Sequence, residues 1–211
     1  MNIHKIIHNN FSIAIPKMES ATNYSLLIKD SQIIEDIIND EHKSHFRQQQ
    51  LLAARYLLQE LSNDSKPYII NYSKHGKPFI KDTDWEISIS HTKDFIALIL
   101  SKDKKVGLDI EVLNDRIFKI EKKFLRDDEK EFINLNHYLE QLYIIWSTKE
   151  TLYKIYEKGG LIFKENLKVH PFDYVSKGIL QADIITKDFQ KTFMVNYERV
   201  NNLIIVYAME D

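Results

Sequence analysis

The segment Val106-Gly-Leu-Asp-Ile-Glu-Val112 alternates without a break and constrains the fold more than any other stretch. Successive side chains of a strand leave opposite faces, so Val106, Leu108, Ile110 and Val112 share one face and Gly107, Asp109 and Glu111 the other. The pattern predicts a half-buried strand with two carboxylates on one side, roughly 7 Å apart from the rise per residue. Glycine inside a strand marks the close approach of a ligand or of another backbone, which singles out Gly107.

A second segment, Trp146-Ser-Thr-Lys-Glu150 with Lys154 one turn later, lies in a helical pattern over 138–157. At about 100° per residue, Leu142, Ile145, Trp146, Leu152, Tyr153 and Tyr156 form one apolar stripe. Lys149 falls in the middle of that stripe, and Glu150 and Lys154 sit on its shoulder. Taken alone, Glu150 and Lys154 are an i,i+4 ion pair on a solvated face, Lys149 is a snorkelling stem, and Asp109 and Glu111 are surface acids. Taken together, three carboxylates and a lysine suit a Mg²⁺–pyrophosphate site, because Mg²⁺ takes oxygen ligands and shares its shell with substrate phosphates.

The 211 residues allow one large domain or two small ones. Hydrophobic residues make up 44% and charged residues 28%, an ordinary globular balance. The formal charge of −2 gives no support to a nucleic-acid binder. The absence of cysteine excludes disulfides, thiolate metal sites and cysteine nucleophiles. Five glycines, none in a phosphate-loop pattern, leave phosphate binding to side chains and scattered amides. The first residues lack the apolar run of a signal peptide and the longest apolar run, 95–100, is too short for a membrane span, so a cytoplasmic protein that does not engage membranes is expected.

Element by element, the pattern predicts strands at Phe11–Ile15 and Tyr24–Ile28, then helices at Ser31–Ile38 and Glu41–Leu61. The long helix has its apolar face on Phe46, Leu51, Ala54, Leu57, Leu58 and Leu61. A loop at 63–67 leads into short strands at Tyr68–Tyr72 and Pro78–Ile80. Strands 86–90, 95–100 and 106–112 read as one antiparallel meander, which would set His91 and Glu111 at one sheet edge, roughly 10 Å apart. Helices near 115–123, 127–134 and 138–157 follow, the last stopped by Gly159-Gly160. Strands near 179–186, 191–198 and 203–208 close the chain. Both halves run strand, helices, then meander, which is the order of a duplicated α+β unit with its junction near Ser101–Lys105.

Further candidates are weaker alone. Ser88 and Ser90 share a strand face with His91 following, a donor set for phosphate or simply a turn. Gly76-Lys77-Pro78 is a turn displaying one lysine. Arg47 and Arg55, eight residues apart on the long helix, lie on one broad helix face, where a basic side chain can reach a phosphate or form a solvated face.

The order of Gly-Lys-Pro at 76–78, Ile-Ser-Ile-Ser-His at 87–91, Gly-Leu-Asp-Ile-Glu at 107–111 and Trp-Ser-Thr-Lys-Glu with Lys154 resembles the 4′-phosphopantetheinyl transferases of the Sfp type. The motifs span about 80 residues. Thr151 and Leu108 depart from the commoner residues at their positions without removing a polar group. The resemblance implies two pseudo-symmetric α/β halves, 1–102 contributing to coenzyme A binding and 103–211 carrying the metal and catalytic motifs, with coenzyme A in the cleft between them. It implies Mg²⁺-dependent transfer of the phosphopantetheine arm to a serine of an acyl or peptidyl carrier protein, with release of adenosine 3′,5′-bisphosphate. Asp109, Glu111 and Glu150 would hold Mg²⁺. Lys154 would contact the diphosphate, and Glu150 would take the serine proton directly or through water. Ser90, His91, Lys77, Arg47 and Arg55 would hold coenzyme A, and Lys149 would orient Glu150 or touch substrate. Carrier proteins are acidic, which makes Lys122, Lys123 and Arg126 candidate contacts. A cleft built within one chain implies a monomer. A coenzyme A- or carrier-binding module without catalysis, or a Mg²⁺-dependent phosphohydrolase, would use the same residues differently.

Overall fold

Strand β7 (Val106–Val112) begins just after the point at which the chain divides into two compact units, Met1–Lys104 and Lys105–Asp211. The computed structural model describes residues 3–8, 10–18, 23–40, 42–63, 66 and 68–210.

In the first unit, β1 (Ile3–Ile7), β2 (Phe11–Pro16), β5 (Glu86–His91) and β6 (Ile96–Ser101) form a four-stranded antiparallel sheet in the order β1-β2-β6-β5. A separate hairpin pairs β3 (Ile70–Tyr72) with β4 (Pro78–Ile80). Helices α1 (Ser31–Ile38) and α2 (His45–Ser62) supply the other layer. Ser44 caps α2 by accepting from the Arg47 amide, and Asn63 ends it in the left-handed region at φ 54°. Glu41, the expected start of this helix, lies outside the described residues, as do Asp64, Ser65 and Pro67 of the expected loop. Leu52, Leu57 and Leu58 are buried against Ile87 and Leu98. Phe46, assigned to that apolar face by periodicity, is instead exposed. The strand expected at 24–28 is a 3₁₀ turn, because the Asn23 side chain caps it by accepting from the Ser25 amide.

In the second unit, β7, β8 (Leu167–Val169), β9 (Lys177–Ile185), β10 (Gln190–Val200) and β11 (Leu203–Met209) form an antiparallel sheet in the order β7-β11-β10-β9-β8. The meander expected over 86–112 therefore breaks: β5 pairs with β6, but β7 pairs with β11 in the other sheet. His91 and Glu111 do not share a sheet edge. The reason is pairing supply, since the all-apolar β11 offers β7 seven partners from Leu203 to Met209. The helix α5 (Tyr138–Tyr156) packs across β7 and β11, and its last turn closes on Glu157 in the left-handed region, ahead of the two glycines expected to stop it. Short helices α3 (Glu121–Phe124), α4 (Asp127–Lys130) and α6 (Phe163–Asn166) flank it.

Lys149 is not a snorkelling stem. It is fully buried, and its Nζ donates to Glu129 Oε2 at 2.8 Å, to the Phe124 carbonyl at 2.7 Å and to the Phe163 carbonyl at 3.4 Å. Glu129, equally buried, accepts in addition from the Arg126 and Val169 amides. One ion pair thus joins α5 to the ends of α3, α4, α6 and β8. Burial pulls the lysine down to about 8 while Glu129 pulls it up. Removing one partner strands the other charge. Lys149→Met is expected to cost about 3–5 kcal/mol in urea unfolding, and adding Glu129→Gln, which removes the stranded charge and keeps an acceptor for a buried amide, should restore part of that loss.

Candidate functional site

Strand β7 is buried on both faces, not half-buried as its alternation suggests. Val106, Leu108 and Ile110 are at most 1% exposed on one side, and Asp109 is only 5% exposed on the other. The carboxylate face looks at helix α5. Gly107 permits this: a Cβ there would collide with the Thr151 carbonyl oxygen and stand 2.9 Å from Ile155 Cγ1. The close approach that a strand glycine signals is made by the helix backbone itself.

That approach gathers Asp109, Glu111, Glu150 and Lys154. Lys154 Nζ donates to Asp109 Oδ1 at 2.9 Å and to the Leu108 carbonyl at 2.7 Å. Glu111 Oε1 accepts from the Trp146 indole at 3.1 Å. Glu150 adds the third carboxylate from the helix side. Burial, followed by the Asp109 charge, pushes Glu111 up to about 7. The same two causes push Glu150 up to about 7. Among the described residues no three acids or histidines already stand as a metal cage; Asp109 faces Lys154 and Glu111 faces Trp146. The donor chemistry nevertheless fits a hard divalent cation, because these are oxygen donors whose mutual repulsion a cation would relieve.

In the first unit the structure brings two of the sequence candidates together: Arg47 Nη1 donates to His91 Nε2 at 3.0 Å and to Gln50 Oε1 at 3.0 Å. Ser90, beside His91 on β5, is buried. Lys77 is ion-paired to Glu86 at 2.7 Å. Arg55 turns the other way, donating to the main-chain carbonyls of Leu51 and Ile70 across α2 and β3. Lys122 and Lys123 are exposed. Arg126 is tied to Asp128 and to the carbonyls of Lys164 and Glu165. Trp146 and Gly107 were visible in the motifs, but Glu129 carried no local signal because its partner lies 20 residues away.

Residues 105–203 match the family model of the 4′-phosphopantetheinyl transferase superfamily. The second unit, which holds Asp109, Glu111, Glu150 and Lys154, is therefore similar to that superfamily over nearly its whole length. The chain is 28% identical over 116 residues to the 4′-phosphopantetheinyl transferase gsp of Aneurinibacillus migulanus, covering 54% of this chain and 48% of that protein. It is 33% identical over 124 residues to the 4′-phosphopantetheinyl transferase AcpT of Escherichia coli O157:H7, covering 54% and 60%. The AcpT of Escherichia coli strain K12 is 32% identical over the same shares. The chain thus spans about half to three fifths of the length of the curated relatives it matches.

Two outcomes follow from this geometry. Gly107→Ala should cost about 1–3 kcal/mol by overpacking and shift α5 off β7, read as a lower urea midpoint. The raised glutamates set a pH dependence of known sign. Between their ordinary value of 4.5 and about 7 the folded chain keeps protons that the unfolded chain releases, so their contribution to stability falls as pH rises through that window. Without divalent cations, Glu150→Gln should melt higher than the wild type at pH 8 and level with it near pH 4.5.

Proposed function

We propose that this protein transfers the 4′-phosphopantetheine arm of coenzyme A to a serine of an apo acyl or peptidyl carrier protein. The observation that carries the reading is the convergence of Asp109, Glu111, Glu150 and Lys154 on one face of β7 and α5, inside the segment that matches the transferase superfamily. The serine oxygen forms a bond to the β-phosphorus of the diphosphate. The bridging P–O bond breaks, and adenosine 3′,5′-bisphosphate leaves with the electron pair.

In this reading Asp109, Glu111 and Glu150 hold Mg²⁺, which when bound neutralises charge on the diphosphate oxygens. Lys154 gives the diphosphate a second positive contact from the position it holds beside Asp109. Glu150 accepts the serine proton, directly or through a water. Its carboxylate comes from the helix side of the cluster, within reach of the Asp109 charge, and a positioned carboxylate is a competent general base. Arg47 with His91 and Ser90 binds phosphate of coenzyme A, supported by the Arg47–His91 contact. Lys77 lies near the nucleotide. Arg55, turned to main-chain carbonyls, braces α2 against β3. Exposed Lys122 and Lys123 face an acidic carrier protein.

The test is intact mass spectrometry of an apo carrier protein incubated with coenzyme A, Mg²⁺ and this protein. A gain of one phosphopantetheine arm is expected, abolished by EDTA and by Asp109→Ala. Glu150→Gln is expected to slow transfer by about 10²–10⁴-fold. Coenzyme A binding without transfer to several carrier classes would instead identify a non-catalytic module.

A further inference from the structure

Trp146 has no part in the chemistry assigned above, yet it touches the site. Its indole is wedged between the rings of Phe124, 5.2 Å away and edge-on, and Phe163 at 5.4 Å. Those contacts fix the ring plane, and Nε1 donates to Glu111 Oε1 at 3.1 Å. An indole has one donor and no acceptor, so the contact engages one carboxylate oxygen in one direction. It also spans the two elements of the site, since Trp146 stands one turn before Glu150 on α5 while Glu111 stands on β7. Phenylalanine would keep an aromatic ring, though a smaller one, between Phe124 and Phe163 and would lose the N–H donor.

We propose that Trp146 is a positioning residue whose indole N–H anchors one oxygen of the Glu111 carboxylate and so restricts how that side chain turns to ligate a divalent cation beside Asp109 and Glu150. The inference rests on the metal reading of this site given above. Outer partners that orient ligand side chains set metal affinity without touching the metal. Here the partner is rigid, because two rings clamp it, and the carboxylate it holds is otherwise a flexible side chain on a strand.

The protein's two tryptophans make the test direct. In the Trp85→Phe variant Trp146 is the single indole emitter. Titration of the full chain with Mg²⁺ alone should change its emission, and Glu111→Gln should remove the response. In parallel, calorimetric titration should show Trp146→Phe binding Mg²⁺ about 10-fold or more weakly than the wild type, with circular dichroism unchanged. Should Trp146→Phe fail to fold, the single-tryptophan titration still decides the matter. Trp85→Phe protein that binds Mg²⁺ with no change in Trp146 emission, or wild-type protein that binds it no more tightly than folded Trp146→Phe, overturns the inference and leaves the metal reading standing. Wild-type protein that takes up no Mg²⁺ overturns both.

Discussion

The approach of helix α5 to strand β7 at Gly107 is the constraint on which the rest of the second unit depends. With no Cβ between them, the Thr151 carbonyl comes against the strand, and Ile155 packs beside it. Every side chain of interest is then placed by rise and turn. Two residues along the strand from Gly107 comes Asp109, and two more bring Glu111. One residue before Thr151 comes Glu150, and three after it Lys154. A strand and a helix are rigid elements, and a site shared between them inherits that precision. A larger residue at position 107 would change one separation and, through it, every strand-to-helix distance in the cluster.

The buried Lys149–Glu129 pair secures the other flank of the same helix. A buried ion pair contributes little net stability, since desolvation offsets most of the attraction. What this one does is directional. Three main-chain or carboxylate oxygens surround the ammonium, and two amides satisfy Glu129. The helix therefore has a fixed rotation about its axis, with Lys149 inward and Glu150, its neighbour in sequence, turned to β7. A hydrophobic residue at 149 would favour burial as strongly but would accept many rotations.

Much of this was legible in the sequence where the signal was local. Strict alternation at 106–112 gave the strand, and the 3.6-residue spacing over 138–157 gave the helix, because both patterns arise within a few residues. That the acidic face of β7 and the lysine of α5 belong to one site was legible only through the joint occurrence of their motifs and the family resemblance it carries. What alternation cannot report is what covers a face. Asp109 reads as a solvent-side acid, yet α5 buries it. Lys149 reads as a stem on an apolar stripe because its partner is 20 residues upstream. The meander over 86–112 failed for the same reason: β11, the true partner of β7, lies about 95 residues further on. Arg47 and Arg55, eight residues apart, are turned about 80° from each other around the helix, and Arg47 reaches His91 while Arg55 donates to the Leu51 carbonyl.

The electrostatics of the cluster argue that stability is not what selected it. Three carboxylates face one ammonium in a largely buried space, and two of them are held up near 7 by burial and then by the Asp109 charge. A chain built only to fold would replace one acid with a neutral side chain and remove that repulsion. Perturbed carboxylates gathered by rigid elements are instead the mark of a site prepared for charge that arrives from outside. Lys154 offsets part of the negative charge through Asp109 while remaining 26% exposed at its side chain, so it is accessible to an anionic ligand. The same set therefore presents acids for a cation and a cation for an anion, which is the pairing that a metal-bound diphosphate requires.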